Sequence, residues 1–529
     1  MTDVEAARRR SGLLIPLFSC VSSRSWGIGD IGDLPAVSTW LASAGQRVLQ
    51  LLPINEMAPG QQSPYSAISA LAIDPIYIDL SAVPDFQAIG GEASLTYEDR
   101  SLLAEVRRAS HIPYAAVRQL KQRASRAAFA RFFEHEWRKD TERAAAFRAY
   151  VAEQACWLDD YALFRAIHSS QDERGWLEWP EPLQRRDPDA LAAAHETLAD
   201  AVLRTQYRQW LADTQWHQAR DAVNALGVSL FGDLPFMVDG DSADVWAHQS
   251  WFMLDASVGV PPDAFSASGQ DWGMPVYRWD ALAAHQFGWL RDRARRSAQL
   301  FDGYRIDHLV GFYRTYGRPR GGGEAFFTPA EERQQLELGE RVLGIFQESG
   351  ADIIAEDLGT VPDFVRESLA RLGVPGFRVA RWEREWQTPG QPFRDPRDYP
   401  VRSVANSGTH DTEPLAVWWA AAPAEERAAV ARIPSVARLA GGADLTQMPF
   451  DPVVRDVLLG SLFESGSELL LMPIQDVFGW TDRINQPATV HDGNWSYRLP
   501  WPVDHLDDVD EARERRDQLR AWARASGRA

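Results

Sequence analysis

The sequence predicts an α/β fold, a (β/α)8 TIM barrel with a large helical insertion between strands 2 and 3 and further subdomain loops. Eight apolar runs of strand length are separated by segments of helical character, the alternation that βα units produce. Eight is also the number of strands in this barrel. Several of the runs end in polar residues, and in such barrels the functional groups gather at the carboxyl ends of the strands.

The eight predicted strands are close to continuously apolar, as expected for parallel strands that are covered on both faces. Each core run has the length of a strand rather than that of an average helix. The runs are GLLIPLFS from Gly12, VLQLLPI from Val48, VSLFGDLPFMV from Val228, GYRIDHLVGF from Gly303, DIIAEDLG from Asp352, GFRVAR from Gly376, RSVANSGTHD from Arg402 and ELLLMPIQD from Glu468.

The long segment between the second and third runs has a different composition. No glycine or proline occurs between Pro113 and Gly175, and Ala, Arg, Glu and Leu dominate, which predicts helices. A second helical pattern over 197–226 leads into the third strand. We therefore predict four parts: 12–84, the first βαβ part of the barrel; 85–226, a mostly helical insertion; 227–506, the remainder of the barrel with inserted substrate-binding loops; and 507–529, a C-terminal helix.

Composition argues against several classes of function. The 529 residues carry 74 acidic and 55 basic side chains, a net charge of −19, which opposes binding to nucleic acid phosphates. No apolar stretch approaches the roughly 20 residues that span a bilayer, and the apolar run near the N-terminus ends at Ser19, too early for an export signal. Cys20 and Cys156 are too few for a disulfide framework, so the predicted compartment is the cytoplasm. The oligomeric state stays open between monomer and homodimer.

Carboxylates stand at the ends of several predicted strands, where a purely structural strand would not need them. One alternative is that they form buried ion pairs that close the rim of the barrel. Convergence of three or more on one end favours catalysis instead. The clusters are GDLP at Asp233, RIDH at Asp307, AEDLG at Glu356, GTHD at Asp411 and PIQD at Asp476.

Asp307 and Glu356 end the fourth and fifth predicted strands, which are neighbours in a barrel. A retaining glycosidase needs a nucleophile and a proton donor with carboxyl groups about 5–5.5 Å apart, and this pair could provide them. Arg305 lies two positions before Asp307 and therefore on the same face of its strand. Its guanidinium would keep Asp307 ionised, whereas Glu356 would need a raised pKa to act as an acid.

Many stretches of the chain resemble the amylomaltases, the 4-α-glucanotransferases of glycoside hydrolase family 77 within the α-amylase superfamily. They follow the family order from about residue 12 to about residue 498, and the helical insertion takes part. The stretches are SWGIGDIGDL, AGQRVLQLLPI, SPYSAISALAIDPIYIDL, WLDDYALFRAI, LFGDLPFMV, DSADVWAHQSWF, GVPPDAFSASGQDWGMPVYRWD, YRIDHLVGF, IIAEDLG, GTHDTEP and RINQPATVHDGNW.

The resemblance implies roles for individual residues and, as substrates, α-1,4-glucan and maltooligosaccharide donors and acceptors. Asp307 would be the nucleophile, Glu356 the general acid/base and Asp411 the carboxylate that stabilises the transition state. The residues implied around the cleaved sugar are Tyr65, Asp233, Arg305, His308 and His410. Those implied to contact neighbouring sugars are Ser63, Asp263, Phe265, Gln270, Trp272 and Asn485.

The sequence departs from the family pattern at two positions near the implied site. Ala264 stands where the family carries Tyr, and Ala488 stands where it carries Gly. Neither departure touches the three carboxylates, so the preferred glucan length is less determined than the reaction.

Other functions fit the sequence less well. Gly27, Gly29 and Gly32 spell a dinucleotide fingerprint, but CVSSRSW separates them from the preceding strand, whereas a Rossmann turn follows its strand directly. A sugar-binding protein without catalysis would not need three carboxylates. No metal-binding motif occurs, so no metal and no cofactor are predicted. An α-glucan hydrolase with the same carboxylates stays the alternative.

Overall fold

Eight parallel strands close into a barrel in the computed structural model, which describes residues 9–58, 60–262, 269–487 and 489–529. Around the barrel the strand order is β1-β12-β11-β10-β9-β6-β3-β2, so all eight predicted strands are confirmed. The twelve strands of the described residues are β1 Arg10–Leu14, β2 Val48–Gln50, β3 Ser229–Leu234, β4 Phe252–Val260, β5 Gln270–Tyr277, β6 Gly303–Ile306, β7 Thr315–Pro319, β8 Phe326–Thr328, β9 Asp352–Ala355, β10 Gly376–Val379, β11 Ser403–Asn406 and β12 Leu469–Pro473.

The other four strands form a small antiparallel sheet that the sequence patterns did not predict. Its order is β5-β4-β7-β8, and it is built from the connections that follow β3 and β6. Because these connections leave the carboxyl ends of two neighbouring barrel strands, the sheet stands over that end of the barrel.

Helices occupy the segment between β2 and β3, as its composition predicts, and most of the other connections. Between β10 and β11 the described chain has a 3₁₀ turn at Pro396–Asp398 in place of an α-helix. The helices are α1 Leu34–Ser43, α2 Pro84–Ala88, α3 Tyr97–Arg108, α4 Tyr114–Phe132, α5 Glu142–Glu153, α6 Ala155–Ser170, α7 Glu181–Gln184, α8 Pro188–Thr197, α9 Ala199–Ala225, α10 Ala243–Ala247, α11 Trp279–Ala284, α12 Gly288–Leu300, α13 Val310–Tyr313, α14 Glu332–Gln347, α15 Asp363–Leu372, α16 Leu415–Ala421, α17 Ala424–Ala431, α18 Pro434–Ala440, α19 Pro452–Phe463, α20 Ile474–Phe478 and α21 Asp510–Ala525.

The interior of the barrel is packed with side chains, so a ligand site must lie at one of its ends. Inward-facing residues of six of the strands form one buried apolar cluster. Its members are Val48, Phe231, Ile354, Phe377, Val404, Leu469 and Leu471.

The C-terminal helix α21 packs on the outside of the barrel against α1 and α19. Leu519 and Ala523 face inward and are fully buried, while Arg520 between them is half-buried. Within the described residues, no helix has the length and apolarity needed to cross a bilayer. The division of the chain into four parts stays a prediction.

Candidate active site

Strand register brings charged residues from β3, β6 and β9 together at the carboxyl end of the barrel. Asp233 of β3 lies directly beside Arg305 of β6, and Ile306 of β6 lies beside Ala355 of β9. Asp307 and Glu356 are the next residues of the last two strands and therefore continue the same row. Their backbone amides donate to the carbonyls of the neighbouring strands, Leu234 and Ile306, which fixes the height of both carboxyls.

One guanidinium lies between three of these carboxyl groups. Arg305 donates from Nη1 to both oxygens of Asp233, at 2.8 and 2.7 Å, and from Nη2 to Oδ1 of Asp307 at 2.8 Å. The same Nη2 is 3.8 Å from Oε2 of Glu356. Tyr65 adds a hydrogen bond from its hydroxyl to Asp233 at 2.8 Å. All three carboxyls therefore share the charge of a single arginine.

This arrangement sets an upper limit on the separation between the carboxyl groups of Asp307 and Glu356. Because Oδ1 of Asp307 and Oε2 of Glu356 both approach Nη2 of Arg305, they cannot lie farther apart than the sum of the 2.8 and 3.8 Å distances. The required separation of about 5–5.5 Å falls within this limit.

Burial raises the pKa of two carboxyls of this group, Asp233 and Glu356. Burial raises the pKa of Glu356 to about 7, with the negative charge of Asp307 adding to the rise and Arg305 opposing it. The backbone amide of His308 donates to Oε2 of Glu356 at 2.7 Å and holds the carboxyl in place. A carboxyl that titrates near neutrality can give and take a proton at physiological pH.

Asp411, which follows β11, is held in the opposite state. Burial acts to raise the pKa of Asp411, but the neighbouring His410 and a hydrogen bond from Asn485 outweigh it, and the pKa falls to about 2. Nε2 of His410 is 3.4 Å from one oxygen, and Nδ2 of Asn485 donates to the other at 2.7 Å. Asp411 is therefore an anion at every physiological pH.

Aromatic rings line one side of the carboxylate group. The Tyr65 ring stacks on His410 with centroids 5.3 Å apart, and Trp495 lies 5.7 Å from Tyr65 and 5.8 Å from His410. Such a cluster keeps water away from one side of the site and strengthens its electrostatic interactions.

On the opposite side, the antiparallel sheet contributes Trp272 of β5. Its ring meets His308 edge to face at 4.8 Å, and its Nε1 donates to the side chain of Gln270 at 3.1 Å. His308 adopts a left-handed backbone conformation, with φ of 41°, which a side chain of this size adopts only where its surroundings require it. Burial lowers the pKa of His308 to about 4, so the ring is neutral beside the carboxylates.

Comparison with known proteins identifies the family of the chain. The model of glycoside hydrolase family 77, 4-alpha-glucanotransferase, matches residues 15–504. The chain belongs to this 4-alpha-glucanotransferase family. It is 33% identical to the 4-alpha-glucanotransferase of Thermus thermophilus over 488 residues, covering 90% of this chain and 92% of that protein. It is 30% identical to that of Chlamydia pneumoniae over 506 residues, covering 94% and 92%.

A solved structure shows the same fold. The amylomaltase from Streptococcus agalactiae, in complex with acarbose, superposes with a TM-score of 0.82 at 26% identity and covers 98% of this chain and 100% of its own. The resemblance found in the sequence is thereby confirmed, and the chain is a transferase of the 4-alpha-glucanotransferase family.

In this glucanotransferase the structure brings most of the residues that the resemblance implied into one connected group. Ser63 joins it through its hydroxyl, which accepts from the amide of Tyr65 at 3.3 Å. Asp263 and Phe265 lie outside the described residues, as do Ala264 and Ala488. The connected residues are Ser63, Tyr65, Asp233, Gln270, Trp272, Arg305, Asp307, His308, Glu356, His410, Asp411 and Asn485.

Sequence reasoning did not single out Trp495 or Arg483, which also contact the group. Nη2 of Arg483 donates to the carbonyl of Asp411 at 2.8 Å, and its Nε donates to the carbonyl of Asn485 at 3.2 Å. Both residues lie in the stretch RINQPATVHDGNW, so the motif that carries Asn485 contained the signal.

Asp476 ends a predicted strand, but its carboxyl holds neighbouring groups of the loop that carries Asp411. The carboxyl is fully buried and accepts from the hydroxyl of Ser407 at 2.6 Å and from the amide of Leu415 at 2.7 Å. These two contacts bracket the loop that carries Asp411. Asp476 therefore anchors this loop through a hydroxyl and a backbone amide, without an ion pair among the described residues.

Proposed function

We propose that the enzyme transfers α-1,4-glucan segments between maltooligosaccharides by a retaining double displacement, with Asp307 as nucleophile, Glu356 as general acid/base and Asp411 as transition-state stabiliser. The observation that carries this proposal is the contrast within one row of carboxyls: Asp307 hydrogen-bonded to Arg305 and Glu356 with its pKa raised to about 7. Retaining hydrolases pair a carboxylate nucleophile with a carboxyl that can donate a proton.

In the first step a carboxylate oxygen of Asp307 forms a bond to the anomeric carbon of the donor. The bond from that carbon to the leaving glucan oxygen breaks, and Glu356 gives its proton to this oxygen. The hydrogen bond from Arg305 holds the carboxyl of Asp307 in position for this attack. Positive charge develops on the sugar ring in the transition state, and the anionic Asp411 stabilises it electrostatically.

In the second step a hydroxyl of an acceptor glucan attacks the glycosyl-enzyme. The deprotonated Glu356 takes the proton of that hydroxyl, the bond to Asp307 breaks, and the enzyme returns to its starting state. Water would use the same path and give hydrolysis. Transfer therefore requires an acceptor held in attacking geometry with water kept away, which we assign to contacts from Trp272, His308 and the segment between β4 and β5.

Several contacts suit the remaining side chains to binding sugar hydroxyls. Asp233, Tyr65 and His410 present hydrogen-bonding groups beside Asp307, and Asn485 and Gln270 present amides farther out. We propose the same role for Ser63 and Asp263, and an apolar contact with a neighbouring sugar for Phe265. The acarbose complex of the Streptococcus agalactiae relative supports a carbohydrate ligand at the corresponding site here.

Incubation with maltotriose tests the proposal. We expect glucose together with a ladder of longer maltooligosaccharides, resolved by size, and little gain in reducing ends. Products limited to glucose and maltose, with reducing ends rising as maltotriose disappears, would replace transfer by the hydrolase alternative.

A further inference from the structure

Two tryptophans of the described residues are exposed, unlike all the others. The chain has 21 Trp residues, all within the described segments, and 19 of them are buried or half-buried. The other two are Trp382 and Trp386, with exposed fractions of 39% and 60%. They lie four positions apart in one segment and have no ring contact with another aromatic of the described residues. Exposed apolar groups that cluster in this way mark binding surfaces.

The segment that carries them is an ordered hairpin. Arg384 and Phe393 form an antiparallel bridge, and the amide of Glu385 donates to the carbonyl of Pro392 at 2.9 Å. The guanidinium of Arg384 lies 3.8 Å from the centre of the Phe393 ring and 3.4 Å from Glu426 of α17. The exposure of the two indoles therefore belongs to a hairpin that is tied to its neighbours.

The position of the hairpin connects it to the active site. It leaves the carboxyl end of β10, which lies between β9 and β11 in the barrel, the strands that lead to Glu356 and Asp411. Arg381, directly before Trp382, donates to the carbonyl of Glu413 at 2.9 Å and to its carboxylate at 3.0 Å. The base of the hairpin is thus fixed two residues from Asp411, on the rim of the proposed glucan site.

The alternation of apolar and charged side chains on the hairpin indicates which class of ligand it would bind. Glu383, Arg384 and Glu385 separate the two indoles, so the surface alternates between apolar rings and charged groups. A protein or lipid partner would favour a contiguous apolar patch, whereas a glucan offers apolar ring faces edged with hydroxyls. Four residues span at most about 14 Å, so one oligosaccharide of several glucose units can reach both rings.

We infer that Trp382 and Trp386 form a stacking platform for α-glucan on the rim of the barrel, outside the site of cleavage, which holds the distal part of long chains. This inference rests on the proposed function. The platform would add affinity for long oligosaccharides and none for those too short to reach it.

The kinetic test compares maltoheptaose with maltotriose as donor in Trp382→Ala, Trp386→Ala and the double variant. If each stacking contact contributes about 1 kcal/mol, the ratio of kcat/KM for maltoheptaose to that for maltotriose should fall about fivefold in each single variant and further in the double variant. Trp386→Phe keeps an aromatic face and should retain most of the ratio. Val401→Ala removes an exposed apolar side chain at the far end of the same β10–β11 connection and should leave the ratio at the wild-type value.

A binding measurement makes the result independent of turnover. Calorimetric titration with maltoheptaose in the Asp307→Asn background should show a Kd at least about fivefold weaker when both tryptophans are also changed to alanine. An equal Kd, or an unchanged length ratio in the double variant, would overturn the platform. If loss of the tryptophans weakens maltoheptaose binding but wild-type enzyme does not remake maltotriose into longer chains, the transfer proposal fails while the platform stands.

Discussion

The two ends of the barrel use charge in different ways. At the amino end, Arg10 pairs with Asp352 at 2.8 Å and Arg402 with Glu468 at 3.0 Å, so each acid has its own base. At the carboxyl end, Arg305 alone serves three carboxyl groups.

The difference makes the carboxyl end the better candidate for proton transfer. One-to-one pairs cancel their charges locally and hold strand ends together. Three carboxyls around one guanidinium would leave net negative charge in a buried place, which is costly, and burial raises the pKa of Glu356 to about 7. Asp352 begins the short strand β9 and Glu356 follows its last residue. Substitutions at the two ends of the barrel can therefore be compared directly.

Asp307→Asn should produce the largest effect. It removes the proposed nucleophile at nearly constant volume, so transfer from maltotriose should fall by at least about a thousandfold while the thermal midpoint stays close to wild type. Asp352→Asn makes the same chemical change in a half-exposed pair at the amino end and should leave turnover near wild type. Retention of more than a few percent of activity by Asp307→Asn would refute the assignment.

Glu356→Gln should impair transfer from maltotriose by roughly a hundredfold to ten-thousandfold because the leaving oxygen is no longer protonated. An α-glucosyl fluoride needs no such proton, so formation of the glycosyl-enzyme from it, followed by rapid quench, should be much less affected. Asp411→Asn, in contrast, should be impaired with both donors. Equal losses with both donor types in Glu356→Gln would remove it from the acid role.

The dependence of kcat/KM on pH should reveal the raised pKa of Glu356. Glu356 has its pKa raised to about 7 and acts as an acid only when protonated, so kcat/KM should be at its highest below this value and fall as pH rises through about 7. The fall should be absent when Glu356→Gln reacts with the fluoride donor. A profile that stays flat from pH 6 to 9 in wild-type enzyme would contradict the proposed protonation state.

Arg483→Met should have a moderate effect through Asp411. Loss of the hydrogen bonds to the carbonyls of Asp411 and Asn485 loosens the stabilising carboxylate, and we expect kcat to fall roughly tenfold with little change in KM. Arg483→Lys should recover part of the loss. Arg402→Met removes a cation of the amino end and serves as the control. A KM effect without a kcat effect would assign Arg483 to substrate binding instead.

Arg528→Met should have the smallest effect on catalysis and a clear one on stability. This guanidinium is fully buried at the amino end and donates to the carbonyls of Phe463, Arg10, Ser465 and Ser467 at 2.8–3.2 Å. Removing it leaves buried carbonyls without partners, at a cost of about 3 kcal/mol. Denaturation should show a lower midpoint, and kcat of the folded enzyme should match wild type.

Local patterns predicted much of this molecule because they report on local geometry. A run of apolar residues with a polar end marks a barrel strand, and a two-residue spacing places Arg305 and Asp307 on one face. The antiparallel sheet escaped prediction because its strands are polar in part and because β4 pairs with β7 across a long connection. Asp476 looked like Asp307 in sequence, and only its partners, Ser407 and Leu415, distinguish an anchor from a reacting group.

The sequence by itself determined the eight strands and the family and predicted the catalytic carboxylates, because each of these depends on residues close together in the chain. Only the tertiary structure decided which carboxyls share Arg305, how far the pKa of Glu356 rises and which two tryptophans remain exposed. A pKa depends on burial and on charges a few ångströms away. The groups that set it for Glu356 come from β6 and β9, separate in sequence and adjacent only after the barrel closes.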